Sequence, residues 1–302
     1  MITLLRAYVV SLVFAGLIIG GGFFVAYADT TIPSVEVGNA APAVSAVNID
    51  PSPIVVTENG TTSVTITATV TDSNGCDEVF ANGTTTATLY RSSLGASCPQ
   101  DWGNCYVNVP LTEVGNTCAG GVDTEGDASG TVQVWYIAEA TDASSSNSGD
   151  TWQATVKAID SSNASSTNTD ASPPELSTAL AIDVTGDINY GALAASATSS
   201  IKTVTVTNTG NYNSTDANFS GVNLESSGNS IAMSQQKYST STSEEWDYMD
   251  YALSGVATRR ELNITKGTAT GTPSTQNDYW AIQVPGGQAA GTYNGTTTIE
   301  AQ

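Results

Sequence analysis

The chain contains no histidine. That removes the commonest general base, the usual zinc ligand and the side chain that titrates near neutral pH. No Ser-His-Asp or Cys-His mechanism can be assembled from it. Positive charge is nearly as scarce, with eight Lys and Arg against 29 Asp and Glu and a net charge of −21. Such a surface repels phosphate backbones and anionic lipid, so nucleic acid is excluded as a partner. Charged residues are only 12% of the chain and apolar residues 40%, which sets it apart from a disordered acidic tail. Sustained helical periodicity is missing as well. Paired carboxylates, the machinery of glycoside hydrolysis, are the one catalytic chemistry left. With so many acids such pairs arise without meaning, and the chain is expected to be non-catalytic.

Long apolar runs are confined to the start. Arg6 supplies a positive charge, Ala7 to Ala26 are almost unbroken apolar sequence, and Ala26-Tyr27-Ala28 is a small-x-small cleavage signature before Asp29. Residues 1–28 are therefore expected to be a signal peptide, and the mature chain to be extracellular or held at the cell surface. The competing reading is an uncleaved anchor of about 20 residues, the one route by which a membrane becomes a partner. Gly20-Gly21-Gly22 weakens the second half of such a helix.

Export changes how the four cysteines are read. An even count outside the cytoplasm implies two disulfides among Cys76, Cys98, Cys105 and Cys118, and their spacing matches no familiar zinc pairing. Three connectivities are open. The one expected joins Cys98 to Cys105 around Pro99-Gln100-Asp101-Trp102-Gly103-Asn104 and leaves Cys76 for Cys118.

Residues 29–45 read as an extended segment. Beyond them, apolar and hydroxyl side chains alternate with period two in Thr61–Val70, and similar strands are expected over 85–90, 106–111, 131–138 and 151–159. Ser161 to Pro174 is polar, low-complexity and ends in two prolines, so residues 163–177 are expected to be a linker. Alternation returns at Leu180, Ile182 and Val184, at Val204 and Val206, at Trp280, Ile282 and Val284, and over 296–300. Glu244 to Tyr251 is expected to form a short helix. The fold class is thus all-β, as two units over 46–162 and 178–302, with Trp135 and Trp152 in the first core and Trp280 in the second.

The first unit, with TTSVTITATVTDSNGCDEV early and DTWQATVKAIDSSN at its end, resembles immunoglobulin-like domains of exported prokaryotic proteins. The second carries KTVTVTNTGNYNS and VPGGQAAGTYNGTTTIEA and is similar to β-sandwich domains of surface-layer and adhesin-type proteins. The resemblance implies tandem sandwiches with a structural, adhesive or surface-assembly role, binding through loops and sheet edges. It implies other envelope proteins or surface glycans as partners, and no reaction.

Three groups are candidate sites. Asp72, Asn74, Asp77 and Glu78 surround a Gly turn with the hard oxygen donors that calcium takes, and Asp142, Asp150 and Asp160 are expected to approach the same end of the unit. Asp123, Glu125 and Asp127 form a second acidic group, expected to be a solvated loop. Trp246, Tyr248 and Tyr251, with Asp247 and Asp250, have the composition of a glycan platform, although Trp246 and Tyr251 are expected to pack the crossover onto the sandwich, and Trp102 would present an aromatic at the cross-linked tip. A secreted carbohydrate-binding module is therefore the alternative function. Self-assembly is another, as a filament subunit in which residues 31–37 (TIPSVEV) add to a neighbour's sheet edge.

Overall fold

The computed structural model describes residues 30–118, 122–241 and 245–302; the expected leader lies outside them. By internal packing the chain separates into residues 1–38 and 39–302. Of the first, residues 30–38 are exposed and without regular secondary structure. The second is almost entirely antiparallel β-structure. Among the described residues no helix is long and apolar enough to cross a membrane.

Its first half contains β1 (Ala43–Asp50), β2 (Thr61–Thr71), the single turn α1 (Asp77–Phe80), β3 (Thr84–Arg91), β4 (Cys105–Pro110), β5 (Thr112–Glu113), β6 (Glu125–Trp135), β7 (Trp152–Ile159) and β8 (Ser165–Thr169). Two four-stranded sheets result, in the orders β1-β2-β6-β5 and β4-β3-β7-β8. The Val/Thr alternation explains the pairing. Val64, Ile66, Ala68 and Val70 of β2 are buried while the threonines between them are half-exposed. A one-residue slip would exchange those faces, and β2 accordingly pairs with β6 without a shift from Thr61↔Trp135 to Thr71↔Glu125. Leu89, Ala154 and Val156 of the second sheet meet these side chains in one core, with Trp152 and Tyr106 as its largest members. Trp135 is only partly buried against that core. The Tyr106 hydroxyl donates to Trp102 O (2.7 Å) and accepts from Trp135 N (2.9 Å), so this buried ring also positions the loop before β4.

Two expectations need correction. Residues 165–169, inside the run read as a linker, are β8, which hydrogen-bonds along β7 from Ile159↔Ser165 to Thr155↔Thr169. An edge strand that is largely exposed, with only Ser166 and Thr169 half-buried, needs no apolar alternation, which is why its polarity misled. Further on, Leu176 is fully buried in the first core, and Trp152 N donates to Pro174 O (2.9 Å). The short helix expected over 244–251 begins outside the described residues and is otherwise one 3-10 turn, Trp246–Tyr248.

The second half contains β9 (Ile182–Thr185), β10 (Lys202–Asn208), β11 (Thr215–Gly221), β12 (Leu224–Ser226), β13 (Asn229–Ile231), β14 (Gln236–Ser239), β15 (Tyr251–Ala252), β16 (Thr258–Ile264), β17 (Thr275–Ile282) and β18 (Thr297–Ala301). The sheets are β15-β14-β17-β10-β9 and β16-β11-β18, with β12-β13 as a separate hairpin. Between the sheets Tyr238 stacks on Phe219 (4.9 Å between ring centres) and on Trp280 (4.8 Å).

The two halves meet through a buried polar joint made by Asn208-Thr209-Gly210-Asn211. Asn211 accepts from Ala179 N (2.6 Å) and donates to Ala138 O and Ser177 O (both 3.1 Å). Asn59 N donates to Thr209 O, and Lys266 Nζ reaches Ile137 O (2.9 Å) and Glu139 (2.7 Å). A Cβ on Gly210 would lie 2.1 Å from Ala179 O, so only glycine allows this approach.

Disulfides join Cys76 to Cys118 and Cys98 to Cys105, 42 and 7 residues apart. Loop-closure entropy scales with the logarithm of that separation, giving about 4 kcal/mol for the long link and about 2.5 kcal/mol for the short one. Replacing Cys76 and Cys118 together by Ser should therefore lower the urea midpoint more than replacing Cys98 and Cys105. The reverse order in equilibrium unfolding would show that local strain, not chain entropy, governs these links.

Candidate cation centre and exposed surface groups

Three chain segments converge at one end of the first half. β2 ends at Thr71 and delivers Asp72, α1 carries Glu78, and β7 ends at Ile159 and delivers Asp160. Gly83 makes the approach possible, since a Cβ there would lie 2.0 Å from Ile159 O and 2.7 Å from Glu78 O. One carboxylate oxygen from each of Asp72, Glu78 and Asp160 lies within 4.8 Å of the others. Asp72 and Asp160 are each only 2% exposed.

Their partners are unequal. Asp72 Oδ1 accepts from Asn74 N (2.9 Å), which makes the expected turn, while its Oδ2 and Glu78 Oε2 are buried with no hydrogen-bond partner. Asp160 accepts from Asn39 Nδ2 (2.9 Å), Ala164 N (2.8 Å) and Ser162 N (2.9 Å). The Asn39 amide, with those backbone groups, holds its carboxyl below the usual range. Asn74 Oδ1 receives Ala40 N (2.6 Å), so the lead-in to β1 is fastened beside the acids. The Cys76–Cys118 bridge ties the same loop to the residues before β6.

The ligand set expected from the sequence is thus only partly assembled. Asp72 and Glu78 come together, and Asp160 joins them from 82 residues beyond Glu78. Asp77 Oδ1 instead lies 3.5 Å from Cys118 Sγ. Asp142 and Asp150 do not approach this end. Asp150 sits before β7, at the opposite end of an eight-residue strand from Asp160, and pairs with Arg91 at 2.5 Å. Asp142 binds Thr178 N (2.7 Å) and Thr178 Oγ1 (2.6 Å). The other acidic group is partly strand, for Glu125 and Asp127 belong to β6 and Asp127 accepts from Thr69 Oγ1 (2.9 Å).

Three converging carboxylates are costly without a counter-charge. At an effective dielectric of about 20, two unit charges 4.8 Å apart repel by roughly 3.5 kcal/mol. None of the three ion pairs among the described residues involves Asp72, Glu78 or Asp160. Such a donor set, all carboxylate oxygen, is of the kind that takes calcium or magnesium.

The aromatic candidates separate into two kinds. Trp102 is 44% exposed at the tip closed by Cys98–Cys105, its ring edge-on to Tyr106 at 5.6 Å between centres. Asp101 fixes that tip, accepting from Gly103 N (2.9 Å) and Asn104 Nδ2 (2.8 Å). Trp246 and Tyr251, by contrast, are engaged. Trp246 Nε1 donates to Gln235 O (2.8 Å) and Lys237 Nζ covers its ring at 4.1 Å. Tyr251 stacks on Tyr238 and has the Arg260 guanidinium 3.9 Å over its ring. Of the three rings only that of Tyr248 stands clear, at 75% exposure.

Sequence reasoning passed over a buried acid in the second core. Asp278 is fully buried on the face of β17 that carries Trp280, and both its oxygens lack a partner, as does Arg260 Nε. A lone Asp in an otherwise alternating strand was the available signal.

No family model matches the chain, and no curated protein does. Among solved structures it is similar to the CupB6 tip adhesin from Pseudomonas aeruginosa, at 9% identity and a TM-score of 0.23, covering 87% of this chain and 96% of that one. It is also similar to the collagen adhesin (CNA) from S. aureus, at 10% identity and a TM-score of 0.18, covering 86% and 95%. The overlap is a loose likeness of β-sheets, and the functional reading rests on the chain's own residues.

Burial pushes Asp278 up to about 7, against the opposing charge of Arg260. An acid whose folded value is raised stabilises fully below its unfolded value and loses that contribution as pH rises through the folded one. Stability from this group should therefore fall between about pH 4 and pH 7 and stay level above. Asp278→Asn removes that slope, so its unfolding midpoint should gain on the wild type by an amount that grows from about pH 4 to about pH 7 and levels off above. A constant difference across that range would mean that Asp278 does not titrate there.

Proposed function

We propose that the chain is an exported, non-catalytic surface protein that works by contact, in adhesion or in assembly of the cell envelope. Its two halves are then successive immunoglobulin-like units meeting near residues 177–179. Two disulfides, and the leader expected over residues 1–28, support an extracellular setting. The single observation that carries the reading is Trp102, an indole set edge-on against Tyr106 with 44% of its surface exposed, on a loop whose backbone is held by a disulfide, by Asp101 and by the buried Tyr106 hydroxyl. An apolar ring on a pre-ordered loop binds with little entropy loss, and interface energy concentrates in such residues. Leu94, on the same excursion between β3 and β4, is exposed as well.

The test is co-sedimentation of the mature protein with envelope fragments of the producing cell, and with cellulose, chitin and peptidoglycan. Trp102→Ala should weaken retention about tenfold or more on the surface that holds the wild type, at an unchanged unfolding midpoint. Equal retention would remove the tip as the contact, and no retention on any surface would end the adhesive reading. Retention on a polysaccharide alone selects the carbohydrate-binding alternative.

A second reading, strand donation between copies, is favoured by Ile32, Val35 and Val37, which are 94%, 88% and 78% exposed. The receiving site would be the groove between edge strands β9 and β18, lined by Val184, Ile188, Val204 and Ile299. Light scattering should then show oligomers for the mature chain and monomers after deletion of residues 29–38. Monomers in both cases would dispose of it.

A further inference from the structure

We propose that Asp72, Glu78 and Asp160 bind one divalent cation, calcium by its chemistry, and that the ion locks the start of β1 to the ends of β2 and β7. The inference stands apart from the adhesive reading and does not need it. Oxygens bound to one calcium ion at 2.3–2.6 Å stand no more than about 5 Å apart. The three carboxylates already meet that limit, with one oxygen from each inside 4.8 Å.

Convergence of acids alone would mean little on so acidic a chain. The independent observation is the state of the individual oxygens. Asp72 is 2% exposed, and its Oδ2 has neither solvent nor a donor; Glu78 Oε2 is in the same position. Buried carboxylate oxygens are normally met by N–H groups, hydroxyls or cations, because charge without a partner is strongly disfavoured away from water. Here the fold has supplied donors to Asp72 Oδ1 and to both oxygens of Asp160, and none to these two. A cation among them supplies what the protein omits. The hydrogen-bonded oxygens of Asp160 also fix its orientation, as supporting contacts do for metal ligands.

Calcium rather than magnesium follows from the surroundings. Magnesium dehydrates reluctantly and keeps several waters, whereas calcium accepts several carboxylates in irregular geometry. This centre is crowded by Gly83, the Asn39 side chain and the 72–78 turn, and Asp160 is 2% exposed. The ion's structural effect is to neutralise the repulsion that would otherwise part β2 from β7. Asn39 and Ala40 are hydrogen-bonded to Asp160 and Asn74, so the lead-in to β1 is ordered with it.

The experiment uses the mature chain with both disulfides intact, freed of metal by EDTA and dialysis, at constant ionic strength. Thermal unfolding is followed in EDTA, in calcium chloride and in magnesium chloride, beside a calorimetric titration with calcium. Calcium at 10 mM should raise the midpoint by several degrees, with one site per chain and a Kd at or below the millimolar range of extracellular calcium modules. Glu78→Gln should reverse the order of stability. In EDTA the variant should melt above the wild type, because one repelling charge is gone, and in calcium it should melt below. That crossover separates a cation site from a merely structural acid, and Asp72→Asn, which keeps the Oδ1 acceptor, should repeat it. No calcium-dependent shift in the wild type, or a shift that survives in both variants, would overturn the proposal. An equal shift in magnesium, lost in both variants, would overturn the assignment to calcium.

Discussion

Eight basic side chains cannot pair with 29 carboxylates, and much of the structure follows from that shortage. Ion pairs engage Asp150, Asp216 and Glu139 among the described residues. Other acids are met by backbone N–H groups, hydroxyls and amides. Asp142 takes Thr178 and Ser144, Asp101 takes Gly103 and Asn104, and Asp170 takes Ser172 N. The contacts to Ser144, Gly103, Asn104 and Ser172 each close a local turn, and that to Thr178 ties together segments 36 residues apart, so these acids fasten loops between strands. The wealth of Ser, Thr and Asn thereby has two physical uses. It fills the outward positions of the sheets, and it supplies donors to acids that no lysine reaches.

Among the buried carboxylate oxygens without a donor, two surroundings contrast, the core position of Asp278 and the rim where Asp72 and Glu78 meet Asp160. Asp278 lies alone among Trp280, Val204 and other core side chains, with a single guanidinium near enough to be felt. Isolation in an apolar core favours the neutral acid, so a proton is the cheapest partner. Asp72, Glu78 and Asp160 are three together at the rim of a core, with one oxygen of each inside 4.8 Å of the others. Under the cation proposal, one doubly charged ion would offset the charge that the three share. The first environment ties the second core to pH if Asp278 titrates as its burial implies, and the second ties the end of the first core to dissolved cations under the cation proposal.

How much of this was legible in the sequence depends on which face of a strand carried the signal. β2, β3, β7 and β10 alternate Val, Ile, Leu or Ala with Thr because one face meets the core and the other meets water, and period two exposes them at once. β16 hides its signal by burying Arg260 where an apolar residue was expected, the guanidinium lying over Tyr251. β11 opens with buried Thr215 and Asp216, whose polar groups are satisfied by Tyr212, Asn263 and Arg259. Strand β8 is polar throughout because it is an exposed edge. Only the turn half of the cation centre could be read locally. Asp72 and Glu78 are six residues apart, but Asp160 reaches them through the pairing of β7 with β3, which a linear sequence does not display.

The same limit applies to the Asn208–Asn211 motif, which reads as a turn and is one, closed by Gly210 N on Asn208 Oδ1 at 3.0 Å. What the sequence conceals is that the turn is buried. Asn208 and Thr209 are at most 1% exposed, and the Asn211 amide gives both its N–H groups to Ala138 O and Ser177 O of the first half while its oxygen accepts from Ala179 N. A buried amide that is fully satisfied tolerates only one docking geometry, since any rotation of the halves strands polar groups away from water. The joint therefore acts as a fixed elbow rather than a tether. In the adhesive reading proposed above, such stiffness would hold the loop that carries Trp102 at a fixed position relative to the second half.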